Sequence, residues 1–354
     1  MKSIHLAPEN VSDLIRHLQT LGKVFAPHPK GDTSFSFETV SDPDSVVLDY
    51  NRTLQSIKKY FLPPRERLMS YSMETNQYEK EEISAEPRIF LGVHSYDMQA
   101  VLKLDFNFGQ GNPELNYLKR RENCSFIGVS FTPDDYHFSQ SVGIPVEDLK
   151  GFDLFFRKHE SGYTVFVVTK KGEELLQDFS SLSDTGFESD ISYEFSTQLS
   201  INYNRLPELF NHVWDSPVWE EVSRNCVGCG TCNLVCPTCY CFNVEDNVEL
   251  SLKTGTRDRH WDGCMLNSFA AVAGGENFRE SYAERQRHRI YRKFKYIRDV
   301  TGEPWCVGCG RCIASCTAGI SIVEIVNKLK DEYEQTRLIK STNKQERASV
   351  ESSM

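Results

Sequence analysis

Two short runs hold most of the chemistry available to this sequence. Cys226-Val-Gly-Cys229-Gly-Thr-Cys232-Asn-Leu-Val-Cys236-Pro and Cys306-Val-Gly-Cys309-Gly-Arg-Cys312-Ile-Ala-Ser-Cys316-Thr both read C-x2-C-x2-C-x3-C. That is the spacing of bacterial-type iron–sulfur ligation, in which the fourth cysteine ligates the other cluster of a two-cluster protein. The expected ligand sets are therefore Cys226, Cys229, Cys232 and Cys316 for one [4Fe-4S] cluster, and Cys306, Cys309, Cys312 and Cys236 for the other. The glycines at 228, 230, 308 and 310 suit tight loops that need positive φ and close approach of backbone N–H groups to sulfur. Thr317 stands where a proline is usual, but that position is not a ligand. Zinc sites favour two CxxC pairs separated by a longer gap, and a disulfide framework needs a secretory context. Neither fits these runs.

The insert between the runs is long, with 69 residues between Cys236 and Cys306. It holds Cys239, Cys241 and Cys264. These form a candidate third metal site, with His260 or Asp262 as a fourth ligand, or they are buried thiols packed beside the clusters. Residues 279–298 carry eight Lys or Arg against two Glu: Arg279, Arg285, Arg287, Arg289, Arg292, Lys293, Lys295 and Arg298, with His288 among them. The favoured reading is electrostatic. A four-thiolate cubane is anionic, and nearby cations raise its potential. The same stretch can dock an acidic partner, or form a solvated basic helix with Tyr282, Tyr291 and Tyr296 packed inward. A nucleic-acid arm fits poorly with a net charge of −10. No general base, nucleophile or catalytic triad stands out, and neither do GxGxxG or GxxxxGKS nucleotide-binding patterns.

The elements that position these residues are those of an ordinary globular chain of 354 residues, 39% hydrophobic and 25% charged. No apolar run approaches the ~20 residues of a membrane span, and the N-terminus lacks the apolar segment of a signal peptide. Twelve cysteines in that context point to a reducing cytoplasm. A helix is expected after Asn10 or Ser12, with Leu14, Ile15, Leu18 and Leu21 on its apolar face. Strands are expected at 34–40 and 45–50, followed by a helix ending near Tyr60 before Pro63 and Pro64. A buried strand from Arg88 leads into a helix near Asp97. Further strands are expected at 125–131, 151–156 and 162–169, with a helix over 172–178. Residues 180–200 read as a polar linker.

The fold class predicted is α+β: an N-terminal α/β domain over 1–205, then a helical two-[4Fe-4S] ferredoxin-like domain over 206–330 with the long insert. A polar tail over 331–354 is expected to be mobile or ordered only by a partner.

The run from Cys226 to Phe242, with Lys253-Thr-Gly, Arg259-His-Trp-Asp-Gly-Cys-Met, Ala273-Gly-Gly-Glu-Asn-Phe-Arg and His288-Arg-Ile-Tyr-Arg-Lys-Phe-Lys-Tyr, resembles a known family. It is that of the β subunit of cytoplasmic nickel–iron sulfhydrogenases and the corresponding iron–sulfur subunit of anaerobic sulfite reductase. The likeness is strong over 220–320 and weaker at 88–101 and 120–129. It implies an electron-transfer subunit of anaerobic metabolism, working between a terminal reductase or hydrogenase and a flavin- and NAD(P)H-binding subunit. Sulfite reductase, hydrogenase and heterodisulfide reductase systems are the candidates for that terminal partner. Neither nucleic acid nor direct membrane insertion is implied.

Many relatives carry further cysteines in the first domain. Here those positions are Tyr96, Phe131, His137 and Ser139, and Cys124 is alone in that domain. The first domain is therefore expected to be cluster-free and structural. Two rival readings are an iron–sulfur scaffold or redox-sensing interaction protein, and an enzyme that binds substrate at Cys239, Cys241 and Cys264.

Overall fold

A computed structural model describes residues 2–84, 86–183 and 191–351. In chain order its first half holds β1 (Lys2–Leu6), α1 (Val11–Leu21), β2 (Lys23–Pro29), β3 (Phe35–Thr39), β4 (Arg65–Ser72), β5 (Gln77–Lys80), β6 (Arg88–Val93), α2 (Ser95–Gly109), α3 (Leu115–Arg121), β7 (Cys124–Val129), β8 (Leu154–His159), β9 (Gly162–Val167) and α4 (Lys170–Leu175). The second half holds α5 (Leu206–Phe210), α6 (Val218–Ser223), α7 (Thr231–Leu234), β10 (Phe242–Val248), β11 (Thr254–Trp261), α8 (Tyr282–Tyr291), a π-helical turn (Arg292–Tyr296), α9 (Ile297–Thr301), α10 (Arg311–Ala314) and α11 (Ile322–Glu351).

A seven-stranded sheet runs in the order β1-β9-β8-β7-β6-β2-β3. Its centre, β2-β6-β7-β8, is parallel, and its outer pairs are antiparallel. The central strands β6 and β7 are continuous apolar runs, as burial on both faces requires. Phe25, Phe90 and Phe126 stack across three neighbouring strands at 5.1 and 5.4 Å. Aromatic pairs of this kind hold strand register.

A second sheet, in the order β10-β11-β4-β5, joins the two halves of the chain. The long insert supplies β10 and β11, and the first half supplies β4 and β5. Two apolar cores result. One gathers β1 to α4. The other gathers α5, α6, α8 and α11, together with Tyr96, Phe131, Phe138 and Val142 from the first half.

Several sequence expectations change here. Residues 45–50 form no strand: a 3-10 turn at Pro43–Ser45 precedes them, and the Tyr50 hydroxyl donates to the Gly92 carbonyl at 2.7 Å. The helix expected to end near Tyr60 is a single 3-10 turn, Ile57–Tyr60. Leu21 is exposed rather than part of the buried face of α1, and Asn10 stands at the N-cap without a side-chain cap bond. Of the expected linker, 184–190 lie outside the described residues. After them, Phe195, Leu199 and Ile201 are buried in the second core, so that stretch packs. Within the polar tail, α11 continues from its apolar start through Glu351. Its Glu, Lys, Gln and Arg residues are good helix formers, and Lys330 pairs with Glu334 at i,i+4.

Candidate metal centres

The two cysteine runs fold into near-identical loops. Gly228 and Gly308 have φ of 65° and 64°, and Gly230 and Gly310 have φ of 75° and 72°. Each loop then enters a one-turn helix, α7 or α10. Positive φ alone favours glycine at all four positions. At Gly310 a Cβ would also lie 2.5 Å from the Tyr136 carbonyl, and at Gly308 it would run into the backbone of Ser139.

The cysteines ring two small adjacent cavities. The first is lined by Cys226, Cys229, Cys232, Cys312 and Cys316. The second is lined by Cys236, Cys306, Cys309 and Cys312. The fourth cysteine of each run thus lies at the other run's cavity. A larger depression, about 1130 Å³, lies on the four-stranded sheet and has no cysteine in its wall.

Burial governs three of the thiols. It pushes Cys232 and Cys309 up to about 12, and pushes Cys306 higher still. Iron binding must displace these protons, so cluster loading releases acid. Cations stand ready for the negative charge that replaces them. Arg289 borders both cavities and Lys293 borders the second. Burial disfavours the Lys293 charge, but the neighbouring Cys236, Cys239 and Cys306 outweigh it and raise its pKa. Lys58 donates from Nζ to the carbonyls of Cys236 and Cys239, each at 3.1 Å. Arg289 Nε and Gln286 Oε1 are buried without a hydrogen-bond partner among the described residues. An orphaned donor in a cysteine-lined wall is what sulfur acceptors of a cluster would satisfy. The residues present therefore fit the group.

The insert cysteines also come together. Cys239 and Cys264 are buried, and the Cys239 thiol touches that of Cys241. Asn233 Nδ2 lies 3.5 Å from Cys264 Sγ. The suggested fourth ligands are engaged elsewhere: His260 Nε2 is 3.7 Å from Glu245, and Asp262 Oδ1 accepts from the Gly263 N–H at 2.7 Å. Among the described residues, no group of three His, Cys, Asp or Glu is arranged to hold a single ion.

In the first half, Tyr96, Phe131, His137 and Ser139 converge, and all four are buried. Ring centroids are 5.0 Å apart for Tyr96–Phe131, 5.4 Å for Tyr96–His137 and 5.0 Å for Phe131–His137. Aromatic packing occupies the place where these positions meet. Cys124 is remote, with its thiol donating to the Arg120 carbonyl at 3.2 Å.

Two features were not expected from sequence. Arg311, inside the second cysteine loop, makes a two-pronged ion pair with Asp97 at 2.6 Å on both prongs, and both side chains are fully buried. It also donates to the Thr53 carbonyl at 2.8 Å, which ties that loop to the first half. The other feature is that Gln286, Arg289 and Lys293 share one helix face. Their spacing of three and four was the available signal, hidden among the other cations of the same stretch.

Comparison with known proteins agrees with this geometry. A family model described as a 4Fe-4S dicluster domain matches residues 225–320. The chain is 32% identical over 340 residues to Sulfhydrogenase 2 subunit beta of Pyrococcus furiosus, covering 94% of this chain and 99% of the relative. No solved structure matches it. The chain carries two [4Fe-4S] clusters.

Proposed function

Because the chain belongs to the family of sulfhydrogenase beta subunits, we propose that it relays single electrons within an oxidoreductase complex, between a terminal hydrogenase or reductase and a flavin- and NAD(P)H-binding subunit. An iron–sulfur electron-transfer subunit is the coarse reading, supported by the dicluster match and the relative together. The finer reading assigns Cys226, Cys229, Cys232 and Cys316 to the first cluster and Cys306, Cys309, Cys312 and Cys236 to the second. The observation that carries it is the adjacency of the two cysteine-ringed cavities, which share Cys312 and Arg289 in their walls.

The clusters supply the one-electron chemistry, and the protein supplies their ligands, spacing and potential. Cys229 is exposed, so the first centre is the one a partner can approach. The second lies beneath the first half of the chain, behind Phe138 and the Arg311–Asp97 pair. In this reading the first half carries no cluster, since its four converging positions are filled by packed side chains. We place the complex in the cytoplasm. No helix among the described residues is long and apolar enough to cross a membrane.

The test is anaerobic isolation of the untagged complex, with iron, sulfide and flavin quantified. About eight irons on this chain, two cubanes of four, with a catalytic partner and a flavin-binding one, is the expected result. A stable solitary protein with no redox partner would sink the relay. Iron clearly above eight would instead place a third cluster at Cys239, Cys241 and Cys264.

A further inference from the structure

One helix face serves both cysteine-ringed cavities. Residues at i, i+3 and i+7 line up on a helix, and Gln286, Arg289 and Lys293 do so across α8 and the π-helical turn that follows it. Gln286 borders the first cavity, with Nε2 3.7 Å from Cys226 Sγ. Lys293 borders the second, with Nζ 2.7 Å from the Thr238 hydroxyl. Arg289, between them, borders both.

Arg289 is 4% exposed. Its guanidinium lies against the Cys312 sulfur, and its charge faces Cys232, Cys236 and Cys264 as well. No carboxylate among the described residues pairs with it, and its Nε has no hydrogen-bond partner among them. A buried, unpaired cation is costly, so the fold must provide it with negative charge. Two anionic cubanes in the adjoining cavities do that. Arginine suits the place because its planar fork presents five donors in fixed directions and stays charged when buried.

We infer that Arg289 is the shared tuning residue of the two centres, donating toward sulfurs of both and raising both reduction potentials together. The physical basis is that hydrogen bonds to sulfur and local net charge set cluster potential. A cluster that gains an electron becomes more negative, and a fixed cation stabilises that form. Arg289 thereby couples the two centres without itself being a ligand or a redox group. The inference rests on the crossed ligand sets proposed above.

The experiment is a redox titration of the full-length chain followed by EPR, with iron counted on every variant. Arg289→Gln keeps hydrogen-bond donors and removes the charge. It is expected to hold about eight irons and to make both clusters harder to reduce, by about tenfold each, which is ~59 mV for a one-electron couple. In Arg289→Lys the compact ammonium can face one cavity only, so one potential falls and the other holds. Unshifted potentials in a fully loaded Arg289→Gln protein overturn the inference, as does a shift in only one of them. If Arg289→Gln fails to load, Arg289→Lys decides. A single shifted potential supports the inference, whereas two unshifted potentials, or loss of both clusters there too, overturn it. Fewer than about eight irons on the unmodified chain would instead indict the ligand sets.

Discussion

The loops Cys226-Val-Gly-Cys229-Gly and Cys306-Val-Gly-Cys309-Gly have the same sequence and the same backbone, yet they live in different surroundings. Val227 is 65% exposed and Val307 is 1% exposed. Cys229 is exposed, and the Thr231 hydroxyl 3.4 Å away holds its thiol below the usual range. Cys309 is buried, and desolvation pushes its thiol up to about 12. The first loop meets side chains: Gly228 lies beneath the Tyr282 ring and Gly230 beneath Leu266. The second meets backbone, since Phe138 N–H donates to the Gly308 carbonyl at 2.9 Å and Tyr136 closes over Gly310. A duplicated motif has thus become one loop that faces outward and one that is built into the junction between the two halves.

That contrast can be broken by paired substitutions. Val307→Asp is predicted to cost above about 5 kcal/mol, because it places an unpaired carboxylate in a packed junction. That is enough to unfold a marginal domain, and chemical denaturation with iron release would show it. Removing Arg311 as Arg311→Ala strands the buried Asp97 carboxylate, at a predicted cost of about 3–5 kcal/mol. The second centre should then lose iron before the first when denaturant is raised. Simultaneous loss from both centres would contradict the distinction drawn between them.

Gly308→Ala should destabilise by about 2–3 kcal/mol, since both a left-handed φ and a backbone collision oppose the added methyl. Gly230→Ala should cost about 1 kcal/mol, because the colliding atom is the mobile end of Leu266. Equal midpoint shifts in the two variants would remove the asymmetry. Smallest of all, Val227→Asp should stay within about 0.5 kcal/mol of the parent, so that the same substitution at equivalent loop positions spans the whole range.

Much of the scaffold was legible from local pattern. The apolar runs of β6 and β7, the β8–β9 hairpin and the α1 stripe all follow from periodicity. β2 was not legible, since Lys-Val-Phe-Ala-Pro-His-Pro carries two prolines in a strand that pairs on both sides. Nor was the second sheet, whose central pairing of β4 with β11 runs from Arg65↔His260 to Ser72↔Thr254. Even its nearest partners, Ser72 and Thr254, are separated by 182 positions in the chain. No local periodicity reports so distant a partner.

The candidate site divides in the same way. The eight cysteines of the two runs and the positive-φ glycines follow from spacing alone, and so does the crossed pairing proposed for them, because ligation of a cubane by a tight loop is a local demand on the backbone. Which cation serves the clusters does not follow from it. Eight basic residues lie between 279 and 298, and only the packing of α8 against the cysteine loops turns Arg289 and Lys293 toward the cavities while Arg279, Arg287 and Arg298 stay elsewhere on the helix and its flanks. Likewise Arg311 reads as one polar residue between two ligands until Asp97 and Thr53, more than two hundred positions away, meet it. What this sequence determined by itself is the chemistry of its metal ligands, since that depends on residues a few positions apart. Only the tertiary structure decided which centre is buried, which is exposed and which charges surround each, since burial and charge depend on residues that the chain brings together from a distance.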